Sequence, residues 1–275
     1  MPEGDSLHKL AATLRPALLG QPVEHLRLRE RGEVGSARGH VIDRIEAVGK
    51  NLLVLIERRF TVRVHLGLKG RWRLLDATRP WDRAAHAATL ALAVPGSVFV
   101  VYGSARHELR PYRDMRLEAE LRRLGPDLLA PQVDLAAIVA RARAPGYRDA
   151  AITDLLLNQR VASGLGNVYR SEVLFSAGIY PWRTVASLDD DALVTLFRTG
   201  SELMRQNLGP GPRITVERGT KPDPLVRRRS VAPRFHVYRR AGLPCLRCST
   251  IVRRSIEGRQ ARSTYWCPRC QPGSD

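Results

Sequence analysis

The chain has 275 residues, enough for more than one domain with its own core. Its 45 Lys and Arg against 27 Asp and Glu leave a net charge of +18, which favours a polyanionic partner, phosphate backbones first among them. No apolar run approaches the roughly 18 residues of a membrane span, no basic amphipathic helix shows a large apolar face, and charges stand where a signal peptide would carry its apolar stretch; the reading is a cytoplasmic protein with no membrane partner.

The opening MPEGDSLHKL is acidic for so basic a chain, with Glu3 and Asp5 directly after Pro2. Leu7, Leu10, Ala11, Leu14 and Leu18 then recur at helical spacing, which predicts a helix with Asp5 or Ser6 as its N-cap and Gly20 as its stop. Pro16 inside this pattern predicts a kink or an early end. From Val23 to about Tyr102 the period changes: VEHLRLR, GHVIDRIEAV, NLLVLIE, TVRVHL, RWRLL, ATLALAV and SVFVVY are short, β-branched and divided by turn residues, the pattern of a sandwich or barrel. The stretch from Arg116 to Asp134 is charged, holds two prolines and reads as a linker. Beyond it, DLAAIVARARA, YRDAAITDLLLNQ, GNVYRSEVLFSAG and LDDDALVTLFRTGSELMRQNL are helical by period, and the Gly, Pro and Arg-rich segment from Leu208 to Pro233 reads as a long mobile loop. The fold class is α+β and multidomain: a β-sandwich with a leading helix over 1–118, a linker over 119–134, a helical domain over 135–235 and a metal-stabilised module over 236–275.

That last module carries the strongest local signal. All four cysteines lie in CLRCSTIVRRSIEGRQARSTYWCPRC, as Cys245, Cys248, Cys267 and Cys270. Two CxxC pairs at this separation are the spacing of a four-thiolate zinc site in which each pair forms a knuckle and the chain between them a hairpin. A disulfide framework is disfavoured in a cytosolic chain. Four thiolates close the tetrahedron, so one structural zinc per chain is expected, folding the module without doing chemistry. Arg253, Arg254, Arg259 and Arg262 stud the hairpin and suit a row of phosphates. A second anion site is expected at Ser163-Gly-Leu-Gly-Asn167, where a glycine turn joins two helices and Asn167 can cap the second. Lys50, at a hairpin tip, reads by itself as a solvated turn residue.

Taken together and in order, the Pro-Glu-Gly start, the Gly49-Lys50-Asn51 turn, the strand HLGLKGRWRL, the helix pair QRVASGLGNVYRSE and the four-cysteine finger resemble the bacterial formamidopyrimidine-DNA glycosylase and endonuclease VIII family. The likeness spans nearly the whole chain, and the PEG start and the Arg262–Cys267 stretch of the finger are closer to the endonuclease VIII branch. It implies a β-sandwich, a helix-two-turn-helix domain and a zinc finger, with damaged DNA, double- or single-stranded, held between the halves by a monomer. It implies a bifunctional DNA glycosylase and AP lyase of base excision repair. Pro2, freed by removal of Met1, matches the nucleophile; an α-amino group titrates nearer neutrality than a lysine side chain, so more of it is free to attack. Glu3 matches the general acid and Lys50 the active-site lysine. Asn167, Arg262 and His65 match phosphate contacts, Leu68 the wedge that fills the gap left by a flipped base, and Glu172 a group that orients the N-terminus. Ser6 departs from the second Glu of many relatives, and Leu68 stands alone where relatives use Met or a Gln-Leu-Tyr triplet, which leaves base preference open; oxidised pyrimidines are expected. Two rival readings are a damage-binding relative without excision, against which the intact Pro2, Glu3 and Lys50 argue, and a zinc-ribbon RNA-binding protein, which leaves the Pro-Glu start unexplained.

Overall fold

The computed structural model describes residues 2–78, 87–217, 233–257 and 262–273. It divides into two compact units, Met1–Arg123 and Leu124–Asp275.

The first unit begins with helix α1 (Gly4–Leu18), whose buried stripe is Leu7, Leu10, Ala11, Leu14 and Leu18. Its N-cap is Glu3, not Asp5 or Ser6, so the helix starts earlier than the spacing predicts. Pro16 does not shorten it: the helix runs two residues past the proline to Leu18, losing the one bond to the Ala12 carbonyl, and Gly20 follows at φ 77°. Nine strands follow among the described residues. β1 (His25–Leu28), β2 (Gly32–Glu33), β6 (Arg71–Asp76), β7 (Ala88–Val94) and β8 (Ser97–Tyr102) form one sheet in the order β2-β1-β7-β8-β6. β3 (Ile42–Val48), β4 (Asn51–Ile56), β5 (Phe60–His65) and β9 (Arg106–Pro111) form the other in that order. All pairings are antiparallel. One core joins both sheets and the helix, with Leu26, Leu28, Leu90, Leu92, Phe99 and Val101 facing Ile45, Leu52, Val54, Val62 and Val64 and the α1 leucines closing it. The predicted strands are all present. β9 lies beyond them, because RHELRP buries only Leu109 and shows no apolar alternation; what makes it a strand is pairing with β5 from Phe60↔Pro111 to His65↔Arg106. Where a linker is expected, α2 (Met115–Arg122) forms instead, capped by the Asp114 carboxylate accepting from the Leu117 amide and anchored by buried Leu117.

The second unit contains α3 (Leu135–Ala142), α4 (Ile152–Leu155), α5 (Asn167–Ser176) and α6 (Asp190–Arg205), with Asp134 and Asp189 accepting cap bonds from Ala137 and Ala192. α4 is one turn where thirteen residues of helical period predict more, because Asn158 Oδ1 accepts from the Arg160 amide and Gln159 turns its side-chain amide back on the chain as described below. α5 packs between α6 and the finger hairpin β10 (Arg253–Glu257) and β11 (Arg262–Trp266). Of the loop expected from Leu208 to Pro233, residues 218–232 lie outside the described residues. Its entry is pinned by Asn207, which donates to the Ile214 carbonyl and accepts from the Ile214 amide, both at 2.8 Å, and Thr215 donates to the Arg234 carbonyl. Arg259 also falls outside the described residues. No helix among the described residues is long and apolar enough to cross a membrane.

Candidate nucleic-acid interface

In the first unit the chain enters α1 through a polar clasp. The Glu3 amide donates to Ser6 Oγ at 3.4 Å, and the Ser6 and Leu7 amides return to the Glu3 carbonyl at 3.0 and 3.3 Å. Ser6 occupies the third helical position, from which a capping-box side chain reaches back to the N-cap amide. The residue that looked like a missing second Glu therefore holds the backbone immediately after Pro2. Glu3 itself is 0% exposed.

Lys50 sits in a two-residue hairpin between β3 and β4, closed by the Val48↔Asn51 pair. Gly49 takes φ 58° at the first turn position, the geometry of a type II′ turn, where a side chain would be strained. The turn has a buried anchor that the sequence pattern does not reveal. Asn51 donates to the Val48 carbonyl at 3.2 Å and accepts from Arg63 Nε at 3.0 Å, and Arg63 Nη1 reaches Glu120 Oε2 at 2.6 Å. Arg106 shares that carboxylate oxygen at 2.8 Å. A buried arginine at an apolar-looking strand position is costly unless paired, and Glu120 with Asn51 supplies the pairing.

His65 lies in β5 across from Arg106. Its pKa is held below the usual imidazole value, first by burial and then by the charges of Lys50, Arg63 and Arg106. Protonation is disfavoured in the free protein, so stability falls as pH drops from the usual imidazole range toward the depressed pKa. With His65 as a phosphate contact, the role proposed below, a phosphate beside the ring would reverse that penalty. Wild-type DNA affinity is therefore expected to rise several-fold between about pH 7.5 and about pH 5.5, with proton uptake on binding, while His65→Asn gives a flat profile. Affinity titrations of both proteins across that range are the check, and a flat wild-type curve removes His65 from the phosphate contacts.

Leu68 stands 63% exposed at the apex of a tight turn, Leu66–Gly70, closed by the Gly70 amide donating to the Leu66 carbonyl at 3.0 Å. A Cβ on Gly70 would lie 2.2 Å from that carbonyl oxygen, and one on Gly67 would lie 2.6 Å from Ala105 Cβ. The loop that carries Ala105 is braced by Ser104 Oγ to His107 Nδ1 at 3.0 Å and His107 Nε2 to Glu30 Oε2 at 2.5 Å.

In the second unit the glycine turn is built around Gln159, which donates to the Leu157 and Leu165 carbonyls, both at 3.0 Å, and accepts from the Gly164 amide at 3.1 Å. The N-cap of α5 is Gly166; Asn167 is the first helical residue and does not cap. Its side chain is directed elsewhere. Nδ2 donates to the Ser263 carbonyl in β11 at 2.9 Å, and Oδ1 accepts from Arg170. Arg262, half-buried, precedes Ser263 in the same strand. The structure thus brings Asn167 and Arg262 together through the finger backbone. Glu172 is buried on the same helix, and its carboxylate accepts from the amides of His236, Val237 and Tyr238 at 2.9, 3.0 and 2.8 Å and from the Thr215 hydroxyl. These bonds fasten the chain entering the finger onto α5. Gln159, Arg170, Arg63 and Asn51 were not singled out by sequence; the i, i+3 spacing of Asn167 and Arg170 on one helix face was the available signal.

The four cysteine sulfurs lie within 4.8 Å of one another, a separation that suits one tetrahedral ion. Cys248 is pulled down to about 6 by hydrogen bonds from Thr250, while burial pushes Cys267 and Cys270 up. Crowded thiols of which some resist ionisation fit a site completed by a dication, which supplies the charge that keeps all four deprotonated. Zinc bound here would hold the knuckles and take no part in chemistry.

Residues 1–116 match the formamidopyrimidine-DNA glycosylase N-terminal domain, 124–216 the formamidopyrimidine-DNA glycosylase H2TH domain, and 242–273 the zinc finger found in FPG and IleRS. A probable endonuclease 8 2 of Streptomyces coelicolor is 34% identical, the alignment covering 99% of this chain and 95% of that one. The chain belongs to the formamidopyrimidine-DNA glycosylase and endonuclease 8 family. Endonuclease 8 of an Enterobacter species is 28% identical over 98% of this chain and 100% of its own. Among solved structures, a Lactococcus lactis FPG mutant in complex with DNA containing Fapy-dG superposes with a TM-score of 0.79 at 22% identity, covering 99% of this chain and 100% of that one, which establishes the shared fold. The expected architecture of this DNA-glycosylase family, sheet domain, helical domain and four-cysteine finger, is the one observed.

Proposed function

We propose that the protein is a bifunctional DNA glycosylase and AP lyase that removes oxidised bases, pyrimidines in preference. The observation that carries this reading is the N-terminal clasp: in a chain that belongs to this family from end to end, Pro2 is followed by a fully buried Glu3 whose backbone Ser6 fixes. The Pro2 nitrogen lone pair attacks C1′ of the damaged nucleotide. The base departs with the bonding pair from C1′ and takes up the proton that the Pro2 nitrogen sheds, and Glu3 gives its own proton to the sugar oxygen as the ring opens, leaving a covalent iminium. The iminium acidifies the 2′ proton. Its removal expels the 3′ phosphate, and a second elimination expels the 5′ phosphate, so the strand is cut on both sides of the lesion.

Lys50, presented by its anchored turn, holds phosphate or base near the reacting centre. His65, Asn167 and Arg262 grip the backbone, and Leu68 fills the space of the extruded nucleotide. A single apolar wedge fills that space incompletely, so an intact opposite base is penalised more than flexible or unpaired DNA. Pyrimidines also stack less than purines and are cheaper to extrude. Single-turnover excision of thymine glycol, 5-hydroxyuracil and 8-oxoguanine, each in duplex and single strand, is expected to run fastest on the pyrimidines, and faster in single strand than opposite an intact base. A clear preference for 8-oxoguanine opposite cytosine would overturn the assignment of base class.

A further inference from the structure

Arg170 is a fully charged side chain in the interior of the second unit, 1% exposed, on the helix that begins with Asn167. A guanidinium placed there must be repaid by its partners, because desolvating a charge without them costs several kcal/mol. The partners are specific. One nitrogen, Nη2, donates to Asn167 Oδ1 at 2.5 Å and to the Ser263 carbonyl at 2.9 Å. The same carbonyl accepts from Asn167 Nδ2 at 2.9 Å. Asn167, Arg170 and the β11 backbone therefore close a three-cornered ring of hydrogen bonds, and Arg262 is the next residue along that backbone. The ring decides two things at once. It fixes which way the Asn167 amide faces, since its oxygen must meet a donor and its nitrogen a carbonyl. It also fixes how far the finger strand stands from the N-terminus of α5, where the amides of the first turn are directed toward anions.

From this geometry we infer that Arg170 is a positioning residue that makes the two phosphate contacts of the second unit, Asn167 and Arg262, act as one rigid clamp. This inference rests on the reading of those two residues as backbone contacts. Arg170 touches no DNA itself; it sets the spacing at which two consecutive phosphates can be gripped together. Without it, Asn167 can rotate and β11 can move relative to α5, so neither contact is in place when the other forms. A merely structural arginine would lower stability and leave the salt dependence of binding unchanged.

The test is the affinity of the full, zinc-loaded protein for an abasic-site duplex across a salt series, with melting temperature and zinc content measured in parallel. Each lost phosphate contact removes about 0.9 from the slope of log affinity against log salt. Asn167→Ala and Arg262→Ala are each expected to flatten the slope by about one contact. Arg170→Met, which keeps an unbranched apolar stem and removes the guanidinium, is expected to flatten it by about two contacts and to lose nothing further when combined with either. Arg170→Lys keeps the buried charge but ends one bond short of the nitrogen that serves both acceptors, and is expected to retain zinc and fold while losing at least one contact; it decides the matter where the methionine variant is unstable. A folded, zinc-loaded Arg170 variant with wild-type slope, or losses that add to those of Asn167→Ala, overturns the inference. If Asn167→Ala and Arg262→Ala themselves leave the slope untouched, it is the phosphate-clamp reading beneath it that fails.

Discussion

Borohydride added during turnover on an abasic-site duplex is expected to trap a covalent protein–DNA adduct that maps to Pro2, and acetylating or extending the N-terminus is expected to abolish both the adduct and strand cleavage. The reason is electronic. A free secondary amine offers a lone pair to C1′, whereas an acylated nitrogen spends that pair in amide resonance and cannot form the iminium. Removing the nucleophile of a covalent mechanism typically costs on the order of 10³-fold or more in rate. Binding should survive, because the proposed phosphate contacts His65, Asn167 and Arg262 are untouched, and a gel-shift with the blocked protein separates the two effects. Cleavage of abasic DNA at the wild-type rate by a protein with a verified blocked amine would show that the nucleophile lies elsewhere.

The second large effect concerns the finger. Its apolar interior among the described residues is small, Phe175, Val237, Cys245, Val252 and Cys267, and Phe175 belongs to α5 rather than to the module. So little buried area cannot offset the entropy of ordering a module of this size, so the metal must. Structural zinc in finger modules contributes apparent free energies of about 10 to 16 kcal/mol. Metal analysis is expected to give one zinc per chain, and Cys245→Ser is expected to lose the ion, open the 245–270 segment to proteolysis and weaken DNA binding on the order of 100-fold, while the helical signal of α3 and α6 persists. The loss of affinity follows from the geometry, because β11 supplies both Arg262 and the carbonyl that orients Asn167. A purified protein without metal whose finger resists protease and binds DNA normally would refute this account.

Much of the architecture could be read from the chain because burial there follows a simple period. β7 and β4 are buried throughout and apolar but for Thr89 and Asn51, and the α1 leucines repeat at three and four residues. The elements that escaped are held by partners distant in sequence. β9 is a strand because β5 offers it an edge, and α2 is a helix because Asp114 caps it and Leu117 finds a core. The site divides in the same way. Residue types with intrinsic chemistry, a terminal proline with an acid beside it and paired cysteines, announce themselves at any fold. Arg63 and Arg170 read as two more basic residues in a basic protein, and only folding shows that both are buried and serve to aim a neighbour.

The turn that carries Leu68 has a kinetic meaning. Gly70 has no room for a methyl group against the turn's own Leu66 backbone, and Gly67 has none against the Ala105 side chain. A probe on so stiff a mount arrives already ordered and forfeits little entropy each time it presses between bases. An enzyme sampling long stretches of intact duplex must make and abandon such intrusions many times for each lesion it meets. With Leu68 as the proposed wedge on a rigid mount, the depth of each intrusion would follow the stacking strength of the step beneath it, and hesitation along the duplex would measure local damage rather than the protein's own flexibility.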